Sequence, residues 1–417
     1  MAYFQEIIFS SCRSMMFIIF CITFIGYLLG DIKIKGVELG TAGVFLSALL
    51  FGHFAYSDAS LLRQMGIITV SSGFMQHSMS LIQEMGLLCF VTSVGFIAGP
   101  NFFHNLKKNV KSYAFLGLII IGSGALTCAA VILLTSVDSA MGVGILSGAL
   151  TTTPGFAAAQ DIVRSNEFLL NEVTVGHAIG YPFGVVGVVL FVQIVPKLVK
   201  ANILEEQKKI NATSGQPLEF TPDRQQEENA QRKLIDIDPI GLGPLSLAVV
   251  LGVLLGKVRI PLPLGTHFSL GNTGGALIVG LILGHFGRIG RINMRISTGF
   301  LKAFREFGLV MFLIGAGVPG GSGFVEIVRE HGLILFFYGA LMTTIPLLVG
   351  YFIAKHVVRL CLLNNLGAIT GGMTSTPALG ALINVAKTDD VAASYAATYP
   401  VALVLVVLAS QFLMTFL

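Results

Sequence analysis

Apolar stretches with short polar breaks recur along the chain near 15–30, 41–55, 84–99, 112–136, 140–163 and 173–196, and again near 243–257, 272–286, 306–320, 332–354, 362–386 and 394–415. Their length and continuous hydrophobicity predict helices that lie in lipid or against one another. Between the two sets runs KLVKANILEEQKKINATSGQPLEFTPDRQQEENAQRKLID, which is poor in apolar residues and reads as a linker, part of it helical. The pattern divides the chain into a first membrane repeat over 1–197, a linker over 198–238 and a second membrane repeat over 239–417.

The two sets correspond in residues as well as in hydropathy. GYLLG (26–30) matches GVLLG (252–256), LFGHF (50–54) matches ILGHF (282–286), and EMGLLCFVTSVG (84–95) matches EFGLVMFLIGAG (306–317). GALTTTPGFAAA (148–159) then matches GGMTSTPALGAL (371–382), and GYPFGVVGVVL (180–190) matches TYPVALVLVVL (398–408). Five pairs in the same order make an internal duplication.

Lys and Arg bias predicts how the segments are threaded. HNLKKNVK (104–111) and the linker both favour the cytoplasm, yet the fourth, fifth and sixth segments between them make three crossings. One segment must therefore return to its own side. The fifth is suited to this, because its glycine-rich arms meet at a Thr-Thr-Thr-Pro tip that a continuous helix would not favour. Each half then has five spans and one re-entrant hairpin, and the odd number inserts the second half upside down. Both termini are expected outside and the linker in the cytoplasm, with Arg13 near an outward amino terminus as the feature that fits least well.

At such a tip the second arm starts a helix. Thr153 is expected at the N-cap with Pro154 in the first helical position, and Thr376 and Pro377 repeat the arrangement. Free N–H groups, a helix dipole and the hydroxyls of Thr151, Thr152, Thr153, Thr374, Ser375 and Thr376 would then gather near the bilayer midplane. This is chemistry for an anion without a basic side chain, and discontinuous helices of this kind recur at transporter sites. Helix capping alone is the alternative for a single Thr-Pro pair.

Composition narrows the class. The 417 residues are 54% hydrophobic and 12% charged, against about 25% charged for a soluble domain, and the mean hydropathy is +0.82. The 49 glycines suit close helix packing in a membrane. Cys12, Cys21, Cys89, Cys128 and Cys361 lie in or beside apolar runs without metal-binding spacing, so no metal is expected. The apolar start lacks a small-x-small cleavage pattern and reads as a retained first span. No HExxH, GxSxG or paired intramembrane aspartates occur, which argues against an enzyme. The net charge of +4 gives no reason to expect a nucleic-acid partner.

GALTTTPGFAAA and GGMTSTPALGAL, with GFIAGPNFF (95–103) ahead of the first, resemble the paired motifs of the aspartate:alanine exchanger family, bacterial inner-membrane carriers built from two copies of one membrane domain. The resemblance covers both halves and implies secondary transport of a small amino acid or carboxylate, commonly by exchange. Many members carry a pair of soluble regulatory domains between the halves, where this chain has only the short linker.

Further ionisable and polar positions complete the candidate set. His177 and its counterpart Tyr395 fall inside the last span of each half, where a polar group suggests a substrate or proton contact or a group satisfied by a neighbouring carbonyl. Tyr181-Pro182 and Tyr399-Pro400 suggest kinks, and Asn364 and Asn365 open the second hairpin. Glu84 and Glu306 are expected to complement helix starts, and His53 and His285 to be structural. The expectation is an all-α polytopic membrane protein of two inverted repeats, an elevator-type transporter acting as a homodimer, in which the first two spans of each half form the scaffold. Its substrate would be a small carboxylate such as aspartate, alanine or succinate held between the tips. No cofactor is expected; exchange and sodium or proton coupling stay open, as does a less favoured ion channel.

Overall fold

The computed structural model describes residues 14–34, 37–38, 42–56, 72–163, 165–214, 234–261, 267–322 and 332–417. Cys12, Arg13 and linker residues 215–233 lie outside the described residues. The first half contributes α1 (Met15–Gly30), α2 (Ala42–Tyr56), α3 (Ser72–Leu134), α4 (Ser139–Ala149), α5 (Thr153–Val163) and α6 (Glu167–Leu198). Helix α7 (Ile203–Ser214) belongs to the linker. The second half contributes α8 (Leu242–Gly256), α9 (Gly271–Phe286), α10 (Thr298–Ser322), α11 (Ile334–His356), α12 (Leu362–Gly372), α13 (Thr376–Ala386) and α14 (Val391–Phe416).

The order of elements recurs down to small detail. A two-stranded antiparallel hairpin, β1 (Lys33–Ile34) with β2 (Val37–Glu38), follows α1, and β4 (Ile260–Pro261) with β5 (His267–Phe268) follows α8. A third sheet joins β3 (Ile235–Asp236), parallel, to β7 (Ile292–Asn293), which pairs antiparallel with β6 (Arg288–Ile289). One element departs from the expected pattern. The third and fourth segments of the first half are a single helix, α3, which runs through Pro100 and the HNLKKNVK stretch. Proline removes one backbone donor but need not end a helix, and the basic stretch has ordinary helix formers.

Among the described residues, five segments are long and apolar enough to cross a bilayer: His77–Pro100, Lys111–Leu134, Phe168–Leu198, Ile334–His356 and Val391–Phe416. Helices α1, α2, α8 and α9 are shorter, at 15 or 16 residues, or about 24 Å at 1.5 Å per residue. That falls short of a hydrocarbon core of about 30 Å. Glu84 and Glu306 lie well inside α3 and α10, not at helix starts, because both helices extend further toward their amino ends than the apolar segments do. Glu306 instead accepts a hydrogen bond from Tyr27 at 3.1 Å.

The chain forms two compact units, one from residues up to Leu87 with Glu306–Tyr338, the other from Leu88–Arg305 with Gly339–Leu417. Within the first, α1 packs on α2 where Gly26 meets Val44, and α2 packs on α10 where Gly52 meets Val318. Within the second, α8 packs on α9 where Gly252 meets Ala276, and α9 packs on α3 where Gly284 meets Phe96. These are the same three-helix contacts with the halves exchanged, since each pair of short helices packs on the third apolar segment of the other half. The four short helices therefore do not form one unit, as the expected scaffold would require: α8 and α9 lie with the hairpins.

The start of α8 shows how a loop carboxylate sets a helix. Asp238 accepts hydrogen bonds from the N–H groups of Ile240 (2.7 Å), Gly241 (3.0 Å) and Gly243 (2.5 Å). These bonds, that from Gly243 foremost, hold its carboxyl below the usual carboxylate range. A depressed pKa gives stability that is present above the unfolded value of about 3.9 and lost as pH falls through the folded one. Asp238→Ala is expected to lower the thermal midpoint at pH 7, with the gap to wild type closing below about pH 4. A gap independent of pH would assign the loss to packing instead.

Candidate functional site

Both hairpins lie in the second unit, and their tips are built alike. Helix α4 ends in a Schellman arrangement, with Thr152 N–H donating to Ser147 O (2.9 Å) and Thr151 N–H to Gly148 O (2.8 Å). Helix α12 ends identically, with Ser375 N–H donating to Thr370 O (2.9 Å) and Thr374 N–H to Gly371 O (3.1 Å). This motif needs a left-handed residue at its turn, usually glycine. Here it is threonine both times, Thr151 and Thr374, each at φ 50°. A β-branched residue in that conformation costs about 1–2 kcal/mol.

What holds the strained residues is their contact with each other's tip. The Thr374 hydroxyl donates to Leu150 O at 2.7 Å, and the Thr151 hydroxyl reaches Met373 O and Thr374 O at 3.4 and 3.3 Å. The tips are therefore tied by reciprocal side chain to backbone bonds. Sequence could not give this, because nothing in TTTP or TSTP states that the left-handed position is the first residue of each triplet.

The caps consequently fall one residue earlier than expected. Thr152 is the N-cap of α5 and accepts from Gly155 N–H at 3.3 Å, and Ser375 is the N-cap of α13. Thr153 and Thr376 are already helical, with Pro154 and Pro377 second in their helices. The cause is the Schellman turn, which uses the first triplet residue as its left-handed corner. A proline in the second position still loses nothing, since the first four N–H groups of a helix have no internal acceptor.

Each second arm packs on the last helix of the opposite half, α5 on α14 and α13 on α6. Each first arm packs on the last helix of its own half, where Gly148 meets the backbone of His177 and Gly371 that of Tyr395. The stretches that carry these hairpins, with the helices around them, match a family model described as a predicted permease membrane region over residues 18–197 and 244–415. The chain belongs to the Asp-Al_Ex family.

Curated relatives of this Asp-Al_Ex protein include an uncharacterized transporter of Bacteroides fragilis, 27% identical with 97% of this chain and 98% of the relative covered. Another uncharacterized transporter, of Desulfotalea psychrophila, is 26% identical with 96% and 97% covered. The alignment to the Bacteroides fragilis protein spans 548 residues, against 417 in this chain. More than a hundred positions of that relative thus have no counterpart here.

The remaining candidate residues of this Asp-Al_Ex protein occupy the same unit. His177 Nδ1 lies 2.8 Å from the Ser147 hydroxyl, and its ring stacks on Phe156 with centroids 4.2 Å apart and on Tyr181 at 5.5 Å. Tyr395 and Tyr399 are buried and stacked at 5.2 Å. Asn364 and Asn365 are buried, and Asn365 donates to Tyr351 O at 3.2 Å. Thr153 is exposed, whereas Thr374, Ser375, Thr376 and Pro377 are all buried. Prolines 182 and 400 sit inside unbroken helices.

Sequence reasoning overlooked the base of the second hairpin. Asp389, in the turn between α13 and α14, takes Arg305 and also Lys302 at 2.9 Å, beside a cavity of about 420 Å³. It also missed Gln193 and Gln411, buried at equivalent positions of α6 and α14. Their spacing from the YP dipeptides is the signal that could have found them. Among the described residues no cluster of His, Cys, Asp and Glu could hold a metal ion.

Proposed function

We propose that this chain is a secondary transporter that exchanges small carboxylates, amino acids such as aspartate and alanine or a dicarboxylate such as succinate, bound at the hairpin tips. The coarse part, a multi-pass membrane transporter, rests on the family and on relatives named as transporters. The observation that carries the finer part is the pair of tips, where two short helices begin beside each other in a hydroxyl-rich place. Helix N-termini and hydroxyls can hold a carboxylate and still release it.

In this reading the two repeats are inserted in opposite orientation in the bacterial inner membrane, the linker is cytoplasmic and both termini face outward. The hairpins with α6 and α14 move as an elevator-type core, in a homodimer. Exchange, with no bound cofactor, fits the scarcity of buried charge better than a channel does. Counterflow in proteoliposomes tests it. Vesicles preloaded with unlabelled aspartate, alanine or succinate should take up the labelled compound saturably, without a sodium gradient, and Thr376→Ala should remove most of that uptake. Uptake that needs no internal substrate but follows a sodium or proton gradient would replace exchange by symport.

A further inference from the structure

We infer that the two tips are unequal, and that the carboxylate is received at the second, by Thr376 N–H, Ala378 N–H, the Ser375 hydroxyl and the Tyr395 phenol. This rests on the carboxylate reading above and assigns the site to one of the two copies. Equivalent positions supply the comparison. At the first tip the N-cap Thr152 binds Gly155 N–H; at the second the N-cap Ser375 caps nothing, and its fully buried hydroxyl has no partner. Ala378, the counterpart of Gly155, and Thr376 have no recorded acceptor for their N–H groups among the described residues.

The helix behind each tip repeats the contrast. His177 is held at the level of the first tip by Gly148, and its ring is satisfied by Ser147 and Phe156. Tyr395 is held at the level of the second tip by Gly371. Its phenol lies beside the Thr376 hydroxyl and has no other partner among the described residues. Thr370 and its counterpart Ser147 both bond their own helices, at Gly367 O and Gly144 O, and Ser147 in addition meets the His177 ring.

A buried polar group without a partner is costly, so native structures keep few of them. Two hydroxyls and two N–H groups, all on buried residues at or behind one helix start, make four donors at one tip. A carboxylate offers lone pairs for four. Ser410 is also unpartnered among the described residues, near Gly155 on the first side, but the Gly155 N–H is already taken by Thr152. The first tip caps its helix with its own N-cap hydroxyl, and the second leaves that place to its ligand.

The test uses the full-length protein with labelled aspartate and succinate in counterflow, and thermal midpoints in detergent with and without each compound. Ser375→Ala and Tyr395→Phe should each raise the half-saturating concentration about tenfold, in line with a lost charge-assisted hydrogen bond. Their ligand-free midpoints should match or exceed wild type, because no protein partner is orphaned. Thr152→Ala should lower the ligand-free midpoint, and Ser410→Ala should alter neither quantity. Unchanged half-saturation in Ser375→Ala and Tyr395→Phe, beside a wild type that transports, would overturn the inequality and leave the carrier reading intact. A wild type that neither transports nor is stabilised by either compound would overturn both.

Discussion

Alanine at Gly148 or Gly371 is expected to unseat the hairpin that carries it. The added Cβ would lie 2.3 Å from His177 O in the first case and 2.4 Å from Tyr395 O in the second. The obstacle is helix backbone, which cannot rotate away as a side chain could. Overpacking costs about 1–3 kcal/mol where neighbours adjust, and these two sites belong at or above the top of that range. Each variant should lose several degrees of thermal midpoint and nearly all exchange. Gly122 is the control, since a Cβ there meets nothing within 4 Å and alanine favours the helix. A Gly148→Ala protein with wild-type midpoint and uptake would show that α4 and α6 do not approach so closely.

The second large effect should separate stability from transport. The double variant Thr151→Gly, Thr374→Gly relieves two left-handed β-branched residues, at about 1 kcal/mol or more each. It also removes the hydroxyls that tie the tips, bonds that within membranes average about 0.6 kcal/mol. The midpoint is thus expected to stay or rise, while the exchange rate falls at least tenfold because neither tip is fixed by the other. A collapse of the midpoint would mean that the tie outweighs the strain. An unchanged rate would make the tie incidental to transport.

Much of this arrangement was legible in the residues. Hydropathy located the apolar segments, the paired motifs the recurrence of elements between the halves, and Thr-Pro the turns between the short helices, because these signals are local and periodic. The family resemblance, carried by the same motifs, agrees with the matched family. What was not legible is pairwise. That Thr151 takes the left-handed corner depends on the Schellman bonds to Ser147 and Gly148, and on a carbonyl more than two hundred residues away. That α8 and α9 join the hairpins, not α1 and α2, depends on glycine faces meeting α3. The unbroken α3 shows the limit of charge as a boundary marker, since a basic run ends a span without ending a helix.

Helix α7 belongs to neither copy, yet it grips one of them. Glu206 accepts from Leu362 N–H at 2.7 Å at the start of α12, and Gln207 donates to Ala386 O at 2.6 Å at the end of α13. Among the described residues the first hairpin has no such outside hand at its start: Asp138, its own N-cap, accepts from Met141 N–H at 2.8 Å. The two hairpins share their turns but not their footing, and the chain that joins the halves is part of the footing of the second. A substitution at Glu206 or Gln207 therefore bears first on α12 and α13.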